Sequence, residues 1–560
     1  MKNSKQSLIK LGIILLVIVL INIISQFYSM RFDLTQDKRF TLSETTKNIL
    51  SEIKNPVFID VFLDGKYPGS IKKLQEETRQ LLEEFTAQNE NINFQFIDPL
   101  ANAENPDAII AAFYEKGMMP INMTVEDRGK QTQEMIFPWA FAYSNELSTK
   151  IPLLKNRLGA TVEEKVISSV QHLEYVLAKA ILTVTVPKTK KIAVLKGNAQ
   201  MADANIGSLL MDLRENYFIA PFTLDSVAKN PTQTLEKLTE YDLALMAKPK
   251  EAFSDAEKLV LDQYIMQGGK MIWMVESVHI EMDSLYNPSG STLAFPNDLN
   301  LNDLFFKYGV RINPTLIKDV MATPISIAIG EQNAETQYAQ FPWLFSPMVY
   351  PESKHPIVTN MDGIKFEFVN AIDTLKNNIK KTVLLQSSPF SKQVGTPTEI
   401  TLKMIKDRPE KSEFSEGGNF PVAVLLEGNF TSVFKNRVMP FSIEKPSFES
   451  NFNKMIVISD GDIIKNQLDD NNGPLDLGYD KWTESYYSNK EFLLNAVNYL
   501  LDDNGLINIR TKEVSLPLLN KDKVYEDYTQ IQIITVGLPI VAILLFGVLF
   551  IYIRRKIYGA

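Results

Sequence analysis

Two apolar runs bracket this chain, and each is long enough to cross a bilayer, which needs about 20 mostly apolar residues. The first, residues 8–28, contains Leu11 to Ile24, LGIILLVIVLINII, with Asn22 as its polar interruption and Phe27 and Tyr28 at its far end. Lys2, Lys5 and Lys10 precede Leu11. The second, residues 531–553, reads IQIITVGLPIVAILLFGVLFIYI and is followed at once by Arg554, Arg555 and Lys556. Basic flanks stay on the cytoplasmic side, so both termini are expected inside and everything between them outside. For a bacterium, that places a large body in the periplasm, anchored to the inner membrane. The segment Ser25-Gln26-Phe27-Tyr28 offers no small-x-small cleavage site, so the first run is expected to remain as an anchor. Pro539 lies inside the second, where a membrane helix tolerates it. Asn22, Gly537 and Gly547 are the candidate positions for helix contacts within the bilayer.

Between the two runs lies a globular sequence, since the 560-residue chain is 45% hydrophobic and 22% charged. A formal net charge of −9 argues against nucleic acid as a partner, because phosphate binding needs a concentrated basic surface. The absence of cysteine excludes disulfides, thiolate nucleophiles and cysteine-ligated zinc.

The body reads as alternating strands and helices. Residues 29–55 form a juxtamembrane stalk in which Thr41 and Glu44 have the spacing of a capping box, with a helix running to Ile53. Residues 56–186 give strand, helix, strand, helix, hairpin and a long closing helix from Glu163 to Thr183, the order of a thioredoxin-like domain. The hairpin is expected from Met119 to Val125 and from Glu134 to Ala142. Residues 187–510 form a second α/β domain with strands at Ile192–Leu195, Leu243–Met246 and Met271–Val275, and helices after the first two. Such alternation implies a parallel sheet with right-handed crossovers. Val383–Leu385, Val422–Leu426 and Met455–Ile458 are further strands, and Glu491–Leu501 is the last helix. Residues 277–380, richer in Pro and Asn, read as an insertion over the sheet's mouth, and 511–530 as a linker.

Chemistry-bearing motifs are sparse. No GxxxxGK[ST] occurs, so the chain is not a P-loop ATPase, and Gly268-Gly269-Lys270 reads as a helix end. His172, His279 and His355 show no metal-ligand spacing, and neither a metal nor another cofactor is expected. The sharpest polar signal is Asp460-Gly461-Asp462, following a strand at the carboxyl end of the sheet, where α/β folds bind ligands. It can hold a cation or a sugar hydroxyl, with His279 nearby at the sheet's mouth. The plainer reading makes Gly461 the turn and Asp462 a helix cap. Ser459 lacks a surrounding GxSxG, so a hydrolase is disfavoured. Trp139, Trp273, Trp343 and Trp482 read as core or domain-contact residues, whereas Phe341-Pro342-Trp343-Leu344-Phe345 is a candidate exposed contact patch.

The stretch from Arg31 to Ser43, FDLT followed by KRFTLS, resembles the entry segment of the gliding-motility-associated ABC transporter auxiliary family, GldG. The turn VISDGD from Val457 to Asp462, the terminal anchors and the order of domains agree with that resemblance over nearly the whole chain. It implies a thioredoxin-like domain followed by a Rossmann-like, class I glutamine-amidotransferase-like domain. It also implies an accessory role beside an ABC permease and a separate ABC ATPase, linked to gliding and to adhesin secretion. Amidotransferase activity requires a cysteine and is not carried over. The alternative function is a periplasmic binder of an envelope glycan, peptide or lipid.

Overall fold

The computed structural model describes residues 12–20, 22, 33, 35, 37–65, 67, 69–101, 104–127, 130–332, 335–407, 409–414, 417–512 and 521–558. They fall into two units, Met1–Glu513 and Val514–Ala560.

The first unit opens with α1 (Glu44–Ser51), and the cap is not the expected one: Ser43 accepts from the Thr46 amide. Thr41 is instead tied to Asp33, whose carboxylate also accepts the amides of Thr35 and Phe40 and so fixes the entry turn. A four-stranded sheet follows, built from β1 (Val57–Val61), α2 (Gly69–Gln88), β2 (Ile92–Phe96) and α3 (Pro106–Glu115). The hairpin β3 (Ile121–Asp127) and β4 (Lys130–Ile136) stands apart as its own pair, and β5 (Trp139–Ser144) and β6 (Leu147–Pro152) complete the sheet in the order β2-β1-β5-β6. The strand expected over Glu134–Ala142 is therefore two strands. Pro138 has no amide to donate to a ladder, so the chain leaves the hairpin there and β5 pairs with β1. The long helix expected over Glu163–Thr183 is likewise two, α4 (Val162–Val170) and α5 (Leu173–Thr185). At the break the His172 amide donates to the Ser169 carbonyl, 2.8 Å away, in a tighter turn.

The larger sheet contains β7 (Lys191–Lys196), α6 (Asp203–Arg214), β8 (Phe218–Thr223), α7 (Pro231–Leu238), β9 (Leu243–Ala247), α8 (Asp255–Met266) and β10 (Lys270–Met274). Ser254 and Glu257 close a reciprocal capping box at the start of α8. Alternate residues feed two cores: Ile272 and Met274 join one side of the sheet, Met271 and Trp273 the other. Burial on both faces explains the near-continuous apolar strands.

Next comes the insertion: β11 (Val278–His279), β12 (Ser291–Pro296), α9 (Asn302–Tyr308), β13 (Val310–Asp319), the long hairpin β14 (Ala322–Gln332) and β15 (Glu335–Val349), then β16 (Ile364–Lys365) and β17 (Asn370–Thr374). The chain returns to the sheet with β18 (Lys380–Gln386), leaves it for β19 (Ser391–Gly395) and β20 (Thr398–Thr401), which pair with insertion strands, and closes with β21 (Pro421–Thr431), β22 (Glu449–Ile458) and α10 (Asn489–Leu501). The seven-stranded order is β18-β21-β22-β10-β9-β7-β8. Six strands run in one direction, and only β21 within this sheet runs antiparallel, to both of its neighbours. β21 departs from the expected parallel sheet: its connection to β22, residues 432–448, contains no helix, the usual crossover between parallel strands.

The aromatic run on β15 is not an exposed patch. Trp343 and Phe345 are buried against Phe368 and Val278, because the hairpin base closes over the insertion's own core. Trp482, expected in a core or contact, is 59% exposed.

In the second unit, Lys521–Glu526 is helical within the stretch expected as a linker, and an apolar helix extends over Tyr528–Lys556, 29 residues, long and apolar enough to cross a membrane. Its turn Ile533–Gly537 is π-helical, just before Pro539, which cannot donate to the preceding turn. Of the expected first span, residues 12–20 and Asn22 are helical and the rest lies outside the described residues.

Candidate functional site

Parallel strands bring together whatever follows each of them, and here three neighbours, β9, β10 and β22, are each followed by charge. Lys248 comes directly after β9, Glu276 two residues after β10, and Asp460 and Asp462 just past β22. Backbone bonds extend the ladder into these turns: the Lys248 amide donates to Met274 and the Val275 amide to Ile458. Lys248 itself takes a left-handed backbone, φ 49°, unusual for a residue with a Cβ.

Its ammonium lies at the centre of the cluster. Nζ is 2.5 Å from an Asp462 oxygen, 3.1 Å from Glu281 and 3.3 Å from Glu276, with the side chain 3% exposed. Glu276 accepts the Gly461 amide at 3.0 Å. Asp460 accepts the Asp462 amide at 2.6 Å through one oxygen and the Glu367 amide at 2.7 Å through the other, so it fastens the insertion to the sheet's mouth. Ser459 is used in the same way, its hydroxyl donating to the Asn370 carbonyl at 2.6 Å.

Burial sets the protonation of this group. It opposes the Lys248 ammonium, but Glu276, Asp462 and Glu281 outweigh it and hold the lysine well above its usual pKa. Burial pushes Glu276 up to about 8, with Lys248 offsetting only part of the effect. Asp460 is raised well above the carboxylate range by burial and then by Asp462 and Glu276. At Glu281 burial is outweighed by Lys248 and Lys250, and its pKa is lowered. Burial thus favours the protonated form of Glu276 and Asp460 beside an internal cation.

Oxygens of Glu276, Asp460 and Asp462 lie within 4.8 Å of one another, close enough in principle for a metal ion. Lys248 already supplies the positive charge there. What the arrangement does chemically is lock three strand ends and the insertion into one charged junction.

Of the residues singled out in the sequence, Asp460, Gly461 and Asp462 belong to this junction. Asp462 does not act as a cap, since the 3₁₀ turn it begins has no side-chain cap and its carboxylate goes to Lys248. His279 stands apart on β11, its ring 4.9 Å from that of Phe295, while Glu281 two residues on reaches the cluster. Gly537 ends the π-helical turn, where an added Cβ would meet Ile533 at 3.9 Å, and one at Gly547 would meet nothing within 4 Å. Asn22 is helical and exposed. Lys248 and Glu367 escaped the sequence reading. Lys248 had a signal, a charge directly after the apolar strand LALMA. Glu367 had none.

Comparison with known proteins adds four findings. An uncharacterized protein of Borreliella burgdorferi is 23% identical over 575 aligned positions, covering 99% of this chain and 100% of that protein. A solved mmIFT52 N-terminal domain aligns with 14% identity and a TM-score of 0.33 over 56% of this chain and 98% of its own. Residues 36–143 match a domain of unknown function, DUF7088. Residues 189–496, more than half of the length and including the whole charged junction, match the profile described as ABC-type uncharacterized transport system, and the chain belongs to that auxiliary family.

Proposed function

We propose that this chain is a non-catalytic accessory subunit of an ABC transport system, anchored in the inner membrane through both ends with its body in the periplasm. The observation that carries the reading is the family match over residues 189–496 in a chain whose C-terminal apolar helix runs directly into Arg554, Arg555 and Lys556. In this reading the body docks to a permease, which couples it to a separate ATPase, and the spans meet lipid and permease helices near Asn22, Gly537 and Gly547. Residues 56–186 act as a thioredoxin-like domain, and 187–510 as a Rossmann-like, amidotransferase-like domain whose sheet mouth serves as a rigid junction. A non-catalytic role agrees with the absence of cysteine and with the engagement of Ser459 in backbone contacts. A part in gliding motility and adhesin secretion rests on the resemblance at Arg31–Ser43.

The test is affinity purification of the tagged protein from its own membrane in mild detergent, with mass spectrometry of what accompanies it. A multi-span permease and a P-loop ATPase are expected. Recovery of the chain alone would overturn the reading and favour the free-standing periplasmic binder, for which the surplus of carboxylates around Asp460 is the favouring feature.

A further inference from the structure

A second buried charged group lies away from the sheet's mouth, where the last stretch of the body, the 3₁₀ turn Leu506–Thr511, meets the break between α4 and α5. Lys155, from the loop after β6, places Nζ 3.0 Å from His172 Nε2 and 2.9 Å from Glu491 on α10, and also donates to the Asn360 carbonyl. Arg510 donates to the same Glu491 oxygen at 2.9 Å and to the carbonyls of Pro356 and Thr359, each at 3.1 Å. Its guanidinium lies over the Tyr175 ring. Two residues further on, Lys512 pairs with Glu174 at 2.6 Å and donates to the carbonyls of Arg39 and Thr41, while Glu174 accepts from the Ser43 amide and the Thr46 hydroxyl. The segment that follows the first apolar run and the segment that precedes the second unit are therefore held at one place, the start of α5.

The charge balance there is one-sided. One carboxylate, Glu491, faces two cations, Arg510 and Lys155, whose own pKa burial lowers, with Arg157 adding to the positive field. His172 is favoured there as a neutral ring, because its Nε2, 4.0 Å from Glu491, accepts from the Lys155 ammonium 3.0 Å away. A proton on that nitrogen removes the acceptor and sets a third cation against the same carboxylate. Desolvation first, then Lys155 and Arg510, hold His172 well below the usual histidine pKa.

We propose that Lys155, His172, Glu491 and Arg510 form an acid-released latch, which holds Leu506–Thr511 on the α4–α5 junction while His172 is neutral and frees it when His172 takes a proton. The sign follows from linkage. The opened latch exposes a histidine of ordinary pKa, about 6.5, and so binds more protons than the closed one as pH falls below that value. Opening is then favoured about tenfold more at pH 5.5 than at pH 7.5.

Hydrogen exchange with mass spectrometry on the full chain in detergent, at both pH values and corrected for intrinsic rates, reads this directly. Amides at 171–176 and 506–512 are expected to lose about tenfold of their protection at pH 5.5. His172→Gln, which can still accept from Lys155 but does not titrate, should abolish that difference, and His279→Gln, on β11 away from the latch, should leave it intact. Equal protection of the wild type at the two pH values, or a pH effect that survives in H172Q, would overturn the proposal. Where H172Q does not fold, Lys155→Met serves instead: with one cation fewer the closed latch tolerates a protonated His172, so the pH effect should shrink, and an unchanged effect would overturn it.

Discussion

Gly461 packs directly against Lys248: a Cβ built on the glycine would lie 2.5 Å from both Cβ and Cγ of the lysine. The φ of −84° at Gly461 suits any residue, so glycine is required here for space alone. Gly461→Ala should therefore destabilise the body by about 1–3 kcal/mol through overpacking. Chemical denaturation followed by circular dichroism measures this, and an unchanged midpoint would show that the lysine stem yields without loss.

Lys248→Met removes the ammonium and leaves Glu276, Glu281 and Asp462 facing one another. Breaking a buried pair in this way typically costs about 3–5 kcal/mol. The loss should be smaller at pH 6 than at pH 8, because protonation relieves the stranded carboxylates. Thermal melts at the two pH values decide it, and equal losses would mean that the acids are not in mutual repulsion.

Glu276 gives the wild type a pH dependence of its own. Its pKa is about 8 in the folded chain against 4.5 for an unperturbed glutamate, so the folded state holds a proton that the unfolded state has released. Stability from this group therefore falls as pH rises from about 4.5 to about 8, the opposite direction to His172. Glu276→Gln still accepts from the Gly461 amide but does not ionise. Its denaturation midpoint should be flatter across that range, and a slope equal to that of the wild type would count against the assignment.

Asp262, fully buried on α8, accepts from the Tyr308 hydroxyl at 2.9 Å, the Ser432 hydroxyl at 2.6 Å and the Val433 amide at 3.0 Å. Asp262→Ala strands three donors away from water and should cost about 3 kcal/mol or more, whereas Asp262→Asn keeps an acceptor and should lose less. Urea unfolding of both variants gives the comparison. A milder effect for alanine than for asparagine would contradict this account.

Much of the architecture was legible beforehand. The apolar runs at Leu243–Met246 and Met271–Val275 are strands, because such features depend on a few adjacent residues. The differences divide by cause. The break at His172 lies in a local tight turn, whereas the partner that β5 finds in β1, the antiparallel pairing of β21 and the burial of Trp343 depend on segments distant in the chain.

The sequence by itself determined the apolar helix ahead of Arg554, the strand-and-helix alternation and the acidic turn past β22, since hydropathy, period and turn chemistry are local properties. Only the tertiary structure decided what that turn does. Lys248 and Asp462 are 214 positions apart, and His172 meets Lys155, Glu491 and Arg510 from three other segments. Whether a charge is paired, protonated or free follows from desolvation and distance, and both exist only once the chain has closed around it.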